Sequence, residues 1–249
     1  MRMRVRVLLM QALVLGLLIA LAQVAVTEGW VNRFLLPSPG DIWDAGVALA
    51  TGEHPLQAFL STIGATLSAI LLAVAVGVPA GWALWRYPVL GRAYEGWLGA
   101  IFASPKLLLY PLFLVVMGRG FGTLLAMAWI TAVIPIVLKT REGLASVPAV
   151  LVRVGRSFKL SERQLLWKVM FPAAVPAIFT GIRLSMIYTL IVVVALEFLL
   201  SLGGLGGMVG DMYDRYDIPA TYAAIVFVLV LSAVYFRILE RIQTWLRSD

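Results

Sequence analysis

The 249-residue sequence contains no cysteine, only one histidine (His54) and few charged residues. The lack of cysteine excludes disulfide scaffolds, thiolate metal sites and cysteine nucleophiles, and a single histidine argues against histidine-based catalysis and metal clusters. Charged residues make up 13% of the chain, against about 25% in ordinary globular proteins. A soluble domain is therefore excluded, because the chain has too little polar surface to cover itself in water.

Apolar residues are in excess instead. They form 61% of the sequence, and the mean hydropathy is +0.95. This surplus must face lipid, and six spans of about 20 residues each would fit the length and leave only short connections. We therefore expect a single membrane domain over residues 1–249, with no metal site and no cofactor of its own. The net charge of +7 is attributed to cytoplasmic loops rather than to nucleic-acid binding.

Six apolar stretches predict membrane-spanning helices and an all-α polytopic fold. The predicted spans are 7–26, 59–84, 97–117, 121–138, 173–202 and 219–236. Three arginines precede the first span, and Ala20-Leu21-Ala22 supplies a small-x-small cleavage pattern, so a cleaved signal peptide is the alternative. Apolarity that continues to Val26 favours an uncleaved anchor. The third span is predicted to be a broken helix, because Pro105 and Pro111 each remove a backbone donor.

The second span carries small residues at every fourth position, which places them on one face of a helix. These residues are Ala65, Ala69, Ala73, Gly77 and Gly81. Such a face lets a neighbouring helix approach closely, so we expect it to pack against protein rather than lipid.

Positive charge is divided unequally between the two sides of the predicted spans. Fifteen lysines and arginines lie on the side of the termini and three on the other side, while Lys106 and Arg183 lie inside spans. By the positive-inside bias, this distribution predicts that both termini are cytoplasmic.

The segment 139–171 is predicted to be a cytoplasmic feature, because it is too long for a simple turn and too basic for a further span. Apolar residues recur at helical spacing from Val150 to Phe158, and Ser161 followed by Gln164 has the spacing of a capping box. Two short helices joined near residues 159–161 follow from this pattern. The residues alone leave two interpretations open: a basic hairpin that lies on anionic lipid, and a docking knob for a cytoplasmic partner.

Residues 153–172, RVGRSFKLSERQLLWKVMFP, resemble the EAA loop of ABC-importer permeases. The apolar-x-apolar-Pro ending at 169–172 matches that motif, and residues 172–184 continue as such permeases do. The opening departs from it, since Arg153 stands where the family has Glu and Lys159 where it has Gly. If that last position needs a left-handed backbone, lysine there costs about 1 kcal/mol relative to glycine.

Further motifs extend the resemblance over nearly the whole chain and narrow it to the nitrate/sulfonate/taurine importer permeases. The matching segments are LPSP at 36–39, PK at 105–106 with PL at 111–112, and EF at 197–198 with GLG at 204–206. Their order and spacing resemble that group's entry to a periplasmic helix, its broken third span and the exit of its fifth span. The periplasmic loop 27–58 would hold the first of these, as an amphipathic helix.

The resemblance implies a type I ABC importer. Two permease subunits would form the pathway, two ATPase subunits would dock below them and bind ATP and Mg, and a periplasmic binding protein would deliver the solute. This chain indeed has no G-x-x-x-x-G-K-[ST] phosphate loop. The coupling segment would consist of Arg153, Val154, Gly155, Arg156, Ser157, Phe158, Lys159, Leu160 and Ser161, with Pro172 ending the motif.

The departures within that segment leave the docking partner open. The ATPase could present a complementary acidic groove, or this subunit could pair with a second, more typical permease. A homodimer and a heterodimer therefore both remain open.

Three charged residues lie within predicted spans, where an ionisable group costs several kcal/mol unless it is paired, hydrated or able to reach the interface. Arg183 is near the cytoplasmic entry of its span, so snorkelling is favoured over a gate role. Glu197 is near the outer end, where it lines the path, braces the outer gate or is simply hydrated. Lys106 either hydrogen-bonds the broken helix or presents its charge to an anion in transit.

The predicted outer face has two features. Ser38 with Asp41 predicts a capped helix start, and Ile42, Trp43 and Val47 would lay the apolar side of that helix on the membrane surface.

Three acidic residues lie three positions apart on the same face, namely Asp211, Asp214 and Asp217. They lack the ligand pattern of a calcium loop. A solvated acidic loop is favoured, and contact with basic residues of a binding protein is the better of the functional interpretations.

These patterns together predict a six-span permease subunit of the bacterial inner membrane that carries no catalysis. It would import a small solute, for which an anion is favoured, at the expense of ATP hydrolysed by partners. The alternative from another class is a self-sufficient channel or secondary transporter whose basic loop only binds lipid. A membrane-embedded enzyme would need clustered catalytic side chains that the predicted spans do not offer.

Overall fold

The computed structural model describes residues 2–52 and 55–247. His54 and the neighbouring Glu53, in the predicted outer loop, lie outside the described residues. The helices are α1 (Arg2–Thr27), α2 (Pro39–Gly52), α3 (Pro55–Arg86), α4 (Pro88–Ala103), α5 (Tyr110–Met117), α6 (Phe121–Ala145), α7 (Ala149–Ser157), α8 (Glu162–Leu165), α9 (Phe171–Leu200), α10 (Gly204–Asp214) and α11 (Ile218–Arg247). A 3₁₀ turn at Lys106–Leu109 precedes α5, and a π turn at Leu166–Met170 joins α8 to α9.

The predicted all-α polytopic fold is confirmed. In the described chain, five helical stretches are long and apolar enough to span a membrane, and α4 with the Lys106–Met117 segment counts as a sixth if the bent pair is one span. The two parts of this pair meet at an angle of 88°. The predicted break therefore exists, and it falls at Ser104 and Pro105, where the chain is extended.

The broken span begins earlier than predicted, at Pro88 rather than near residue 97. Arg92 and Glu95 interrupt the apolar pattern there, but they do not interrupt the helix. Glu95 forms an ion pair with Arg141 of α6 at 2.7 Å. A polar residue with a partner at the end of a span is compatible with continued helix, and this pairing could not be identified from the local pattern.

The core lies between α3, α6 and α9. Ala69, Ala128 and Val193, one from each helix, are fully buried against one another. The small-residue face of α3 packs on α6 as predicted: a Cβ atom added to Gly77 would lie 2.9 Å from Ile136, and one added to Gly81 would lie 2.6 Å from Thr140. Side chains larger than hydrogen at these two positions would separate the helices.

Helix α2 lies across the acidic end of the spans, the end that carries α10 and the three aspartates. Ser38 and Asp41 form the predicted reciprocal cap, since each backbone N–H donates to the other's side chain, at 3.2 and 3.1 Å. Contacts with Ser38, its side chain first and then its backbone, hold the pKa of Asp41 below its usual value.

The apolar side predicted to lie on the membrane surface is divided in the structure. Trp43 is 71% exposed and Val47 is also exposed. Ile42 instead packs with Leu49 against apolar residues of α10 and α11. Because α10 and α11 offer an apolar groove at this end, the helix buries one side in protein and leaves the Trp43 side outward.

Candidate functional site

The segment between α6 and α9 forms a helical hairpin at the end of the spans opposite α10. Most lysines and arginines lie at this end, which we call the basic end. Helix α7 ends at Ser157, and the chain reverses with Lys159 in the left-handed region at φ = 55°. Helix α8 then starts with the predicted capping box: Gln164 N–H donates to Ser161 Oγ at 3.3 Å, and Ser161 N–H donates to Gln164 Oε1 at 2.9 Å. The first predicted short helix, the junction and the capping box are therefore present, but the second predicted helix is not separate, because α8 continues through the π turn into α9.

The hairpin is held to the spans by a small apolar core. Gly155 is buried, and a Cβ atom there would lie 2.5 Å from Leu165. Leu165 in turn packs with Leu144 at the end of α6 and with Ala174 and Ile178 in the first part of α9. The hairpin thus packs directly on two of the three core helices.

The outer side of α7 carries an exposed apolar ridge, which consists of Val150, Leu151, Val154 and Phe158. Phe158 at its tip is 76% exposed. Arg153 and Arg156 lie on another face of α7, and Lys159 follows Phe158 in the turn; all three are exposed. An exposed apolar ridge beside basic residues suits either a protein contact or an anionic lipid surface.

Replacing Lys159 with glycine is expected to stabilise the hairpin. A left-handed backbone costs a residue with a Cβ atom about 1 kcal/mol, and glycine avoids this cost. Thermal unfolding of the purified protein in detergent measures the effect. The matched control is Lys159→Ala, which removes the charge but keeps the Cβ atom, so only the glycine variant should unfold at higher temperature.

A buried polar network occupies the opposite, acidic end. Glu197 is 2% exposed, so the hypothesis that it is simply hydrated is wrong. Glu197 Oε2 accepts two hydrogen bonds, one from the Thr62 hydroxyl at 2.8 Å and one from Gly206 N–H at 3.1 Å. Leu205 N–H donates to Thr62 Oγ1 at 2.9 Å. Glu197 and Thr62 thus satisfy the first backbone donors of α10 and join α3, α9 and α10.

The glycines that follow Glu197 are required by this network. Gly204 has φ = 70°, and a Cβ atom on it would overlap the Glu197 carboxyl group. A Cβ atom on Gly206 would overlap the carbonyl oxygen of Val194. The GLG segment at 204–206 could be identified from the sequence. Thr62 could not, because it lies 135 residues from Glu197.

The other two charged residues of the predicted spans both have partners. Lys106 Nζ donates to the carbonyl oxygen of Phe102 at 2.7 Å, near the end of α4, and lies 5.3 Å from the centre of the Phe102 ring. It therefore hydrogen-bonds the broken helix. Arg183 approaches Glu240 of α11 at 3.5 Å. The sequence did not point to Glu240, because α11 continues past the predicted end at residue 236.

The three aspartates of the acidic end are not gathered into one site. Asp217 accepts a hydrogen bond from Ala220 N–H at 3.1 Å and so caps the start of α11. Asp211 and Asp214 are exposed on and at the end of α10. Among the residues that the structure describes, no three His, Cys, Asp or Glu side chains are placed to hold a metal ion.

The fold and these features define a helical multi-span membrane protein with a hairpin at one end and a braced helix at the other. A family model described as "Binding-protein-dependent transport system inner membrane component" matches residues 69–248. The chain belongs to this family of ABC transporter permeases.

Individual relatives are distant. A probable ABC transporter permease of Brucella melitensis is 25% identical over 246 residues, which is 95% of this chain and all of that protein. A glycine betaine/proline betaine permease of Salmonella typhimurium is 30% identical over 75% of this chain and 52% of its own length. A nitrate import permease of Synechocystis is 31% identical over 54% of this chain and 47% of its own length.

The fold has a counterpart among solved structures. An inward-facing structure of the MetNI methionine ABC transporter superimposes with a TM-score of 0.64 and 19% identity, and covers 76% of this chain and 94% of the matched one. This likeness concerns the fold alone.

Family membership decides between the function classes that the residues left open. The chain is a multi-pass inner-membrane permease subunit of a binding-protein-dependent ABC importer, a transport component without a catalytic domain. Permeases of this family act together with ATPase subunits and a binding protein. The alternatives of a self-sufficient channel or secondary transporter and of a membrane enzyme are therefore set aside.

Proposed function

We propose that this permease belongs to an importer of the nitrate/sulfonate/taurine type and passes a small anion. The similarity to a nitrate permease and to a bicarbonate permease, each over roughly half of this chain, supports an anionic solute. The order of the LPSP, broken-span and EF…GLG segments supports the same group. The solute itself would be selected by the binding protein, so the permease needs only a path of suitable charge.

The exposed apolar ridge on α7 is the observation that best supports coupling of this permease to an ATPase. Residues 139–171 form the coupling loop on the cytoplasmic side, and both termini lie on that side because of the 15-to-3 distribution of lysine and arginine. The ridge enters a groove of the ATPase, and Arg153 and Arg156 contact acidic residues beside that groove. Since Gly155 packs on Leu165 and Leu165 on α6 and α9, closure of the ATPase pair moves the core helices.

The charged residues of the spans have positioning roles in this proposal. Glu197 braces the outer gate by joining α10 to α3 and α9. Lys106 holds the end of α4 at the break and keeps its positive charge beside the path of the anion. Arg183 with Glu240 ties α9 to α11 near the cytoplasmic interface.

The acidic end is the docking face for the periplasmic binding protein. Asp211 and Asp214 project from α10, the helix that the Glu197 network holds, and they would meet basic residues of that protein. Asp217 starts α11. Docking at this face is thereby connected to the gate. A second copy of this chain completes the pathway.

A single introduced cysteine tests the docking of the ridge. Because the chain has no cysteine, Ser157→Cys is a unique handle; Ser157 is exposed at the end of α7. In native membranes we expect it to be labelled from the cytoplasmic side and to crosslink to an ATPase subunit. The matched control, Thr51→Cys on α2, should be labelled only from the periplasmic side and give no such product.

The outcome of this experiment decides between docking and a surface that binds only lipid. Labelling of Ser157→Cys from the cytoplasm without any ATPase crosslink would count against docking. The intact mass of the crosslinked complex then distinguishes two copies of this chain from one copy with a different permease. ATP-dependent uptake of nitrate or taurine, with glycine betaine as the neutral comparison, tests the solute class.

A further inference from the structure

A cavity of about 500 Å³ opens between the end of α3 and the start of the α8–α9 segment. Its lining is mostly apolar and aromatic, and it includes Trp82, Trp85, Trp167, Phe171, Leu166 and Val78. The rings of Trp167 and Phe171 lie 5.1 Å apart at one side. Its volume falls within the range of small-molecule sites, about 300–1,000 Å³.

Two exposed arginines, Arg86 and Arg163, complete the lining. Neither forms an ion pair with another described residue. Glu162 also lines the cavity, and its carboxylate lies 3.7 Å from Arg156 of α7. The cavity therefore combines an apolar interior with two arginines and one glutamate, which leaves a net positive charge in its lining.

The position of the cavity places it at a membrane interface. Trp82, Trp85 and Arg86 form the end of α3, a helix long and apolar enough to span the bilayer. Tryptophan is enriched at the level of lipid headgroups, and basic side chains at that level attract anionic lipids. An apolar lining does not favour a small hydrated anion, so we do not assign this cavity to the transport path.

We propose that this cavity binds one anionic phospholipid, with an acyl chain against the tryptophans and the phosphate between Arg86 and Arg163. Arginine pairs with phosphate through two parallel N–H donors, which suits both residues to a headgroup. A second copy of this chain fits the charge less well, because its own basic end would meet these arginines. The ridge of α7 shares no residue with the cavity, so the lipid and the ATPase can bind together.

Native mass spectrometry of the full chain tests the proposal, with phosphatidylglycerol and phosphatidylcholine offered at equal concentration. We expect one phosphatidylglycerol to be retained preferentially. The double variant Arg86→Gln/Arg163→Gln should bind it about 30-fold more weakly, the loss expected when two arginines stop attracting the headgroup. Leu166→Trp keeps both arginines but fills the cavity, and it should also lose the lipid. Arg92→Gln/Arg237→Gln removes two exposed charges outside the cavity and should bind as the wild type does.

Three results would overturn the proposal. They are equal retention of the two lipids, wild-type affinity in either cavity variant, and a permease dimer that Leu166→Trp dissociates, which would assign the cavity to a second copy. Thermal unfolding of each variant verifies that it is folded. The measurement needs neither ATP nor an ATPase, so its failure leaves the proposed transport function untouched.

Discussion

Replacing Glu197 with alanine is expected to destabilise the permease by about 2–5 kcal/mol and to abolish transport. The substitution leaves Gly206 N–H without its acceptor and the Thr62 hydroxyl without the carboxyl group, in a site that water does not reach. An unsatisfied buried donor costs about 1–3 kcal/mol, and the cavity left by the side chain adds to this cost. Thermal unfolding in detergent and the yield of monodisperse protein measure the loss.

Two further variants separate the hydrogen bonds from the charge. Glu197→Gln keeps the shape, and its amide oxygen can still accept from Gly206, while Thr62 can turn its hydroxyl to Ala58, whose carbonyl oxygen lies 3.1 Å away. It should therefore be the mildest change. Thr62→Val keeps the volume but leaves Leu205 N–H unpaired, so an intermediate loss of about 1–3 kcal/mol is expected. If Glu197→Gln were as damaging as Glu197→Ala, the negative charge rather than the network would be the stabilising element.

Features with a local physical cause could be predicted from the sequence. The break at Pro105 follows from a missing backbone donor, and the start of α8 follows from Ser161 and Gln164, which form their reciprocal bonds within four residues. The small residues of α3 also sit on one face for a purely local reason. In each case the residues that determine the geometry are neighbours along the chain or along one helix.

Features that depend on distant partners could not be predicted in this way. Glu197 and Thr62 meet only because α3 and α9 pack side by side, and Arg183 meets Glu240 because α11 is longer than its apolar part. The amphipathic pattern of α2 fits a membrane surface and a protein groove equally well. Only the presence of α10 and α11 decides that Ile42 turns to protein while Trp43 remains outward.

Helix α9 contacts the elements at both ends of the permease. The hairpin packs on the last turns of α6 and the first turns of α9. The small residues of α3 let α3 pack closely on α6, and Glu197, near the end of α9, accepts a hydrogen bond from α10. Helix α9 thus runs from the hairpin to the outer brace. In the proposed mechanism, a movement imposed at the basic end reaches the acidic end through this one helix.

Removing the ring of Phe158 is expected to uncouple the permease from its ATPase without destabilising the permease. Phe158 is 76% exposed at the tip of the ridge, so Phe158→Ala removes almost no contact within this chain. An aromatic anchor at the centre of an interface typically contributes about 2–4 kcal/mol, which corresponds to a roughly 30- to 1,000-fold weaker association. Titration of the purified ATPase onto the reconstituted permease measures this loss.

The matched control is Phe34→Ala, the same substitution at a side chain that is 60% exposed at the opposite end. It should leave ATPase binding unchanged, and both variants should unfold at the wild-type temperature. Wild-type affinity in Phe158→Ala would mean that the ridge is not the docking surface. The salt dependence of binding then tests the two arginines of α7. Attraction between exposed charges is screened by salt, so wild-type binding that weakens as ionic strength rises would assign the contact to Arg153 and Arg156.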